Sequence, residues 1–333
     1  MHRFVILALT FLLTASFSYA DDDDGIMGNY QGAFTSPGAA GKTVRAQIVA
    51  YGKGNYTLVL FLGDEKGEFS RTELRSHVKK GQLSFSKSIR VAPWGGNFTL
   101  TAQAAEETLA GTLSPGKKTS AESLSFELKR VFLEPPTRGM APPEGARVLF
   151  DGNNLDQWER HPRVWNIQDD GGMQVCGSSL KTLENFGSGL YHVEFMTPFT
   201  PEKRGQARGN SGVYLLGIYE IQVLDTFGLP PADNHCGGLY SLATPGTDAL
   251  LPPLQWQTYD ITFEAAEFDD AGNKTKNARL HVLHNGIVIH DNIELPGPTP
   301  GGISDQESAS GPLLLQDHRD PVRFRNIWFK PAS

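Results

Sequence analysis

The chain of 333 residues has a formal net charge of −7 at pH 7, which gives no basis for binding nucleic acid or an anionic membrane surface. It contains 36 glycines and 21 prolines, turn signals recur at short intervals, and long helical periodicity is missing almost everywhere. This combination predicts an all-β protein, long enough for one large domain or two smaller ones.

Residues 1–20 have the pattern of a secretory signal peptide. A short basic start is followed by an almost wholly apolar run over residues 4–17 and by the small-x-small sequence Ser18-Tyr19-Ala20. The run is shorter than the ~20 apolar residues that a membrane span needs. We therefore expect cleavage after Ala20 and an exported, periplasmic or extracellular protein without a membrane span.

Residues 21–133 are expected to form a small antiparallel β-domain, either a meander or an open barrel, because alternating segments are joined by short turns. The predicted strands cover residues 28–34, 43–51, 56–62, 68–77, 82–86, 97–104, 108–114 and 123–131. Residues 134–145 carry four prolines and are expected to form a stiff, extended linker. Residues 146–333 have about a dozen further strand patterns, which predict a two-sheet sandwich, with a hairpin turn at Asn285-Gly286.

The strand over residues 219–225 carries the main chemical signal. Period-two alternation puts Glu220 and Gln222 on one face and apolar side chains on the other. A one-residue bulge would return Asp225 to the face of Gln222. Such a row of carboxylate, amide and carboxylate is suited to binding a sugar and transferring a proton. The alternative interpretation is that these residues are ordinary surface polars at an exposed sheet edge. For Cys176 and Cys236, a disulfide and two separate thiols both stay open.

The second domain resembles the 3-keto-disaccharide hydrolase family. The stretches that carry the resemblance are Leu149–Trp158, Gly209–Tyr214, Tyr219–Asp225, Gly238–Tyr240, Gly311–His318 and Val322–Ile327. The resemblance implies a concanavalin-like jelly-roll sandwich with a concave sugar-binding face. Family 16 glucanases share this fold, but their Glu-x-Asp-x-x-Glu pattern becomes Glu220-x-Gln222-x-x-Asp225 here. Because retaining hydrolysis needs two carboxyls ~5–5.5 Å apart, the shorter Asp225 weakens that reading.

The chemistry of a 3-keto sugar offers another route, since the C3 ketone acidifies the C2 proton. Removal of that proton gives an enediolate, and the anomeric substituent then leaves by elimination, or by net hydrolysis after water adds. Such a site needs a base, a donor for the enolate oxygen and an acid for the leaving group. The candidates are Glu220 or His318 as the base, Arg325 with Gln316 or Asn210 for the oxyanion, and Asp225 or His235 as the acid.

Further residues are expected at the same place. Tyr240 and Trp256 are candidate platforms for sugar rings, with core packing as the alternative. Gln316 and Arg325 flank a short turn and are therefore expected to lie near each other, with Arg325 holding Glu220 ionised. No cofactor is certain, and a divalent ion held by Asp317, His318 and Glu220 stays open. A secreted enzyme acting on 3-keto glycosides is the first functional hypothesis, ahead of a non-catalytic carbohydrate-binding module and a glucanase.

Overall fold

A computed structural model of the protein describes residues 25–64, 66–105, 107–116, 122–159 and 165–332. The predicted signal peptide lies outside these residues. The described part is all-β, as predicted, and its strands form two large antiparallel sheets, one small sheet and a separate hairpin. No helical segment among the described residues combines the length and the apolar character that crossing a membrane requires.

The N-terminal sheet has eight antiparallel strands in the order β4-β3-β2-β1-β8-β7-β6-β5. They are β1 Gly28–Phe34, β2 Lys42–Ala50, β3 Asn55–Asp64, β4 Phe69–His77, β5 Leu83–Val91, β6 Gly96–Ala105, β7 Thr108–Pro115 and β8 Leu124–Val131. Each matches a strand that alternation predicted. The edge strands β4 and β5 follow each other in the chain, and Ser76 Oγ and Lys87 Nζ donate across the gap between them to backbone oxygens. The sheet therefore curls into an open barrel.

The second half of the chain is a two-sheet sandwich. Its strands are β9 Arg147–Phe150, β10 Asn166–Ile167, β11 Met173–Gln174, β12 Leu180–Lys181, β13 Gly189–Met196, β14 Ser211–Leu215, β15 Tyr219–Val223, β16 Gln257–Glu264, β17 Glu267–Phe268, β18 Lys274–Lys276, β19 Ala278–His284, β20 Ile287–Leu295, β21 Leu314–Leu315 and β22 Arg323–Pro331. The large sheet has the order β10-β11-β22-β13-β16-β19-β20, with β9 also paired to β22, and the small sheet has the order β12-β21-β14-β15.

The core lies between these two sheets. Alternate residues of β13, β16 and β22 face inward, and the rings of Tyr191, Phe263 and Phe329 are in contact there. Tyr219 of the small sheet reaches the same layer, with its ring centroid 5.7 Å from that of Phe263. Tyr259 Oη donates to Gln222 O at 2.8 Å and so joins the two sheets by a buried hydrogen bond. The inner faces are thus mostly apolar, with His284 against the rings of Phe195 and Tyr259 as an exception, and most polar residues of these strands face outward.

Most predicted strands of the sandwich are present, and the exceptions are local. The turn at Asn285 and Gly286 is a hairpin with φ of 54° and 77°, as the Asn-Gly pair predicts. The alternating pattern over residues 259–268 is interrupted after Glu264, and the short strand β12 and the pairing of β17 with β18 were not predicted. Strands of two or three residues carry little alternation, so sequence patterns locate only some of them.

The linker packs on the outer face of the large sheet. Thr137 Oγ1 donates to Asp260 Oδ2 at 2.6 Å, Gly139 N–H donates to Glu194 Oε1, and Asn326 Nδ2 donates to Met140 O at 3.0 Å. The first two bonds supply donors to the buried carboxylates of Asp260 and Glu194. The middle of the linker is therefore held against the sandwich.

The N-terminal sheet contacts the sandwich through the ends of β2 and β3. Arg208 Nη1 donates to Ala50 O at 3.1 Å, and Arg204 Nη2 donates to Tyr51 O at 2.6 Å. A groove of about 570 Å³ runs along this contact. The two cysteines are free thiols: Cys176 is exposed, and Cys236 is buried with its Sγ 3.3 Å from Tyr259 Oη.

Candidate active site

The outer face of the small sheet carries the polar side chains that alternation predicted. On β15, Tyr219, Ile221 and Val223 face the core, and Glu220 and Gln222 face away from it. The outward residues are nevertheless only 2% exposed, because loops cover this face. A glutamate and a glutamine are costly to bury unless polar groups lie against them, so this face is a candidate site.

The register of the small sheet decides which residues surround Glu220. Tyr214 of β14 is directly opposite Glu220, and Gly212 is directly opposite Gln222. Gln316, which follows β21, donates its backbone N–H to Gly212 O at 2.9 Å and so lies on the other side of Gly212. The side chains of Gln222 and Gln316 therefore flank a glycine. The absent side chain of Gly212 leaves a hollow between them, and the Glu220 carboxyl leans into it, with Oε1 2.3 Å from where a Cβ would lie.

Two loop segments close the outer edge of β15. Gln222 N–H donates to Gly238 O at 2.9 Å, and Leu239 forms a bridge with Ile221. Further along, Glu220 N–H donates to Thr299 Oγ1 at 2.7 Å. Tyr240, which follows the bridged Leu239, is half-buried near Tyr214. The edge strand thus has no unpaired N–H at either position, and Tyr240 lies beside the hollow.

Four side-chain oxygens around this hollow are buried and have no hydrogen-bond partner within the described part of the chain. They are Asn210 Oδ1, Glu220 Oε1, Gln222 Oε1 and Gln316 Oε1. Unpaired buried acceptors cost ~1–3 kcal/mol each, so native proteins seldom leave several together. All four are acceptors, and a ligand rich in hydroxyl donors would satisfy them.

Burial raises the pKa of Glu220 to about 7, although the nearby Tyr214 hydroxyl acts in the opposite direction. A carboxyl with this pKa is half ionised near neutral pH and can take up or release a proton there. Strongly shifted carboxyls in a covered site are candidates for acid–base chemistry. The site therefore combines one poised carboxyl with a ring of amide acceptors.

Asn210 and His318 mark the open end of this face. Asn210 Nδ2 donates to Gln206 O at 2.7 Å, and the backbone N–H of Asn210 donates to Asp320 Oδ2 at 2.9 Å. His318 is exposed and lines a surface pocket together with Gln206 and Asp320. His318 thus lies at the rim next to Asn210, away from Glu220. Neither it nor Asp317 joins Glu220 in a group of three potential metal ligands, and no such group exists among the described residues.

Asp225 requires a correction. Strand β15 ends at Val223, and no bulge returns Asp225 to the face of Gln222. Its Oδ2 accepts from Arg208 Nε at 2.6 Å, and its Oδ1 accepts from Phe227 N–H at 3.2 Å. Because Arg208 also bonds the N-terminal sheet, the carboxylate of Asp225 is turned toward that contact. It is not available there as a second carboxyl beside Glu220.

Arg325 and Trp256 also lie elsewhere. Arg325 is on β22, on the outer face of the large sheet, where Nε donates to Glu194 Oε2 at 2.7 Å and the guanidinium lies 4.1 Å from the Trp256 ring. His192 lies in the same cluster, with Nδ1 2.6 Å from Asp260 Oδ1. The sandwich core separates this cluster from Glu220. Arg325 therefore holds Glu194 ionised and not Glu220, which corrects the expectation from sequence.

The charges of this second cluster stabilise one another. Burial would raise the pKa of Glu194, but hydrogen bonds from His192, Asn326, Gly139 and Arg325 lower it to about 2. Burial would lower the pKa of His192, but Asp260 and Glu194 outweigh it and raise the pKa. Every charged group here has a partner, in contrast to the unpaired oxygens around Glu220. The cluster is accordingly a buried ion-pair network beneath the linker.

Sequence reasoning did not single out Tyr214 or Thr299. The signal for Tyr214 was present, since alternation along Gly212-Val213-Tyr214 puts its side chain on the same face as Gly212. Only the register between β14 and β15 reveals that this face is also that of Glu220. Thr299 belongs to a loop, and no periodicity predicts its contact with the edge of β15.

Comparison with known proteins identifies the family of the chain. Residues 145–330 match the family described as the 3-keto-alpha-glucoside-1,2-lyase-like domain. The chain belongs to this family. The match spans the whole sandwich and includes every residue of the candidate site, and it confirms the family resemblance seen in the sequence. No curated protein is significantly similar to the chain.

Two solved structures are similar to part of this chain. A candidate glycosyl hydrolase from Parabacteroides distasonis is 32% identical, covering 57% of this chain and 85% of its own, with a TM-score of 0.52. A second candidate glycosyl hydrolase from the same organism is 17% identical, covering 61% of this chain and 99% of its own, with a TM-score of 0.44. The family and the first relative together support a carbohydrate-active function.

Proposed function

We propose that this protein is a carbohydrate-active enzyme that cleaves the glycosidic bond of 3-keto glycosides, with Glu220 as the base that removes the C2 proton. The observation that carries the proposal is the buried Glu220 carboxyl. Its pKa is about 7, and one of its oxygens has no partner among the described residues. The family of the chain supports the choice of a 3-keto sugar.

The reaction needs only modest basicity because the substrate is activated. Glu220 takes the C2 proton, and the C–H electron pair moves onto the C3 oxygen to give an enediolate. When the electron pair on the C3 oxygen re-forms the ketone, a C1–C2 double bond forms and the C1–O bond breaks. The aglycone then leaves with a proton that Glu220 can supply. Addition of water to the unsaturated product completes a net hydrolysis. An unoxidised sugar has no acidic C2 proton, so this carboxylate would not act on it.

The amide oxygens have a separate task in this proposal. Gln222, Gln316 and Asn210 present unpaired acceptors, which would bind sugar hydroxyls and fix the ring so that C2 faces Glu220. Tyr240, half-buried beside them, would cover one face of a ring. His318 at the rim would contact the aglycone. Asp225, turned toward Arg208, has no part in the chemistry.

The test is incubation with a 3-keto disaccharide and with its unoxidised parent. Turnover of the keto form alone supports the proposal. Binding of either sugar without turnover indicates a carbohydrate-binding module, and turnover of the parent indicates a glucanase-like enzyme. Glu220→Gln keeps the shape of the side chain and removes the base, so turnover should fall by ~10²-fold or more. Glu294→Gln, a change of an exposed carboxylate on β20, is the matched control.

We also propose that the protein acts outside the cytoplasm. The basic start, the apolar run and Ser18-Tyr19-Ala20 support cleavage after Ala20. N-terminal sequencing of the protein recovered from its native host should begin at Asp21. A mature chain that still begins with Met1 would contradict export by this route.

A further inference from the structure

We propose that Tyr214 is the hydrogen-bond donor that stabilises the enolate oxygen when Glu220 removes the C2 proton, an inference that rests on the proposed function. The reaction places negative charge on the C3 oxygen, and a preorganised donor at that position lowers the barrier. Arg325, the donor expected from sequence, is bound to Glu194 beyond the core. The donor to the enolate oxygen must therefore be a group on the same sheet face as Glu220.

The position of Tyr214 matches this role. It is directly opposite Glu220 in the β14–β15 pair, and cross-strand neighbours on one face have Cβ atoms ~4.5–5.5 Å apart. Its hydroxyl lies close enough to the Glu220 carboxyl to lower the pKa of that group. The C2 proton and the C3 oxygen of a 3-keto sugar are attached to adjacent carbons. A sugar whose C2 proton points at Glu220 therefore presents its C3 oxygen to the neighbouring hydroxyl.

The surroundings of Tyr214 favour donation over ionisation. Gln316 Nε2 donates to Tyr214 Oη at 3.2 Å, which leaves the hydroxyl hydrogen to be donated in turn. That hydrogen now reaches Pro300 O at 3.2 Å, a long bond for an O–H donor, which a substrate oxygen would replace. Burial raises the pKa of Tyr214 well above its usual range, so the group stays protonated.

Two of the three amide side chains on this face already have their N–H donors engaged, and the unpaired atoms have the wrong polarity. The unpaired atoms of Asn210, Gln222 and Gln316 are oxygens, which repel an enolate. Asn210 Nδ2 is bonded to Gln206, and Gln316 Nε2 is bonded to Tyr214 itself. Beside the hydroxyl, the loop has Gly301 with φ of +85°, where a Cβ would lie 2.9 Å from Tyr214 Oη. The glycine therefore keeps the space next to the donor open.

The test compares Tyr214→Phe with the wild type on a 3-keto disaccharide in D₂O. Two rates are measured, cleavage and exchange of the C2 proton for deuterium. Loss of the donor should lower both by ~10²–10³-fold with KM little changed. The pH profile should also move, because without the Tyr214 hydroxyl the pKa of Glu220 rises and the acidic limb of the profile shifts to higher pH. If Tyr214 has only a structural role, its removal should change neither the rate of C2 proton exchange nor the position of the acidic limb of the pH profile.

Tyr219→Phe is the matched control, since Tyr219 is equally buried but faces the core side, where its hydroxyl donates to Glu307. This variant should exchange and cleave at the wild-type rate. If Tyr214→Phe fails to fold, 3-fluorotyrosine at position 214 keeps the shape, makes the donor stronger and should raise the exchange rate. Wild-type rates in both Tyr214 variants would overturn this inference alone. A wild-type protein that neither exchanges nor cleaves would instead overturn the proposed function, and this inference with it.

Discussion

Gly212 and Glu220 lie so close on neighbouring strands that a Cβ atom on Gly212 would be 2.3 Å from Glu220 Oε1. The same Cβ would be 3.0 Å from Tyr214 Cε2. The backbone of Gly212 is ordinary extended strand, so the site needs this glycine for space and not for its conformational freedom. The carboxylate of Glu220 therefore leans over Gly212, toward the hollow between Gln222 and Gln316.

We expect Gly212→Ala to displace the Glu220 carboxylate and to lower turnover of a 3-keto disaccharide by ~10²-fold, since small misplacements of a reacting group are costly. Gly297→Ala is the control, because a Cβ at that position has no heavy atom within 4 Å. Steady-state kinetics and urea unfolding of both variants separate an effect on the site from an effect on folding. Normal turnover in Gly212→Ala would mean that Glu220 does not act from this position.

Glu220 should make stability and activity respond to pH in opposite directions. Its folded pKa of about 7 lies above the ordinary value of 4.5, so ionisation of the folded protein is unfavourable. Glu220→Gln should therefore match the wild type in unfolding free energy below pH 4.5 and exceed it by up to ~3 kcal/mol above pH 7. Wild-type kcat/KM should rise with pH through about 7 as the base ionises. Denaturant titrations at pH 4.5 and pH 8 check the first statement, and pH–rate profiles check the second.

The Arg208–Asp225 pair should matter for folding and not for chemistry. Both side chains are at most 5% exposed, and Arg208→Met would leave a buried carboxylate without its cation. We expect this variant to lose ~3–5 kcal/mol of unfolding free energy, part of which Arg208→Met/Asp225→Asn should recover. Asp225→Asn alone should retain turnover. A large loss of turnover in a stably folded Asp225→Asn would indicate that Asp225 acts as the acid for the leaving group.

The cluster beneath the linker should contribute most between about pH 4.5 and 6.5. The lowered pKa of Glu194 gives stability that is present above its ordinary value of 4.5 and is lost as the pH falls toward 2. The raised pKa of His192 gives stability that is complete below 6.5 and is lost as the pH rises through the folded value. Thermal unfolding of Glu194→Gln should therefore differ most from the wild type in this window. A difference that does not vary with pH would contradict the assignment of the two charges.

Arg325→Met tests whether Arg325 acts at the site of Glu220, as expected from sequence, or stabilises Glu194, as in the structure. Removal of a hydrogen bond to the buried Glu194 should lower the unfolding free energy by ~1–3 kcal/mol, while turnover of the folded enzyme stays unchanged. Arg279→Met, which removes an ion pair with the exposed Glu294, is the control and should cost less. Loss of turnover at full stability would place Arg325 at the substrate after all.

The amino-acid sequence alone determined those features that depend on local patterns. Alternation located all eight strands of the N-terminal sheet, and the Asn285-Gly286 pair located a hairpin. Period two was also sufficient to put Glu220 and Gln222 on one face of β15, because neighbouring side chains of a strand must point to opposite sides. Family resemblance covered the same region, residues 145–330.

Only the tertiary structure decided which faces meet. Gln316 and Arg325 flank a short turn, but that turn crosses from the small sheet to the large one, so their outward side chains lie on opposite sides of the core. Tyr214 lies at the site because β14 pairs with β15 in a register that puts it opposite Glu220. Spacing along the chain does not encode this register. The pKa of Glu220 likewise depends on burial by loops distant in sequence. Sequence patterns specify the direction of a side chain relative to its own strand, and packing of the sheets specifies what that side chain meets.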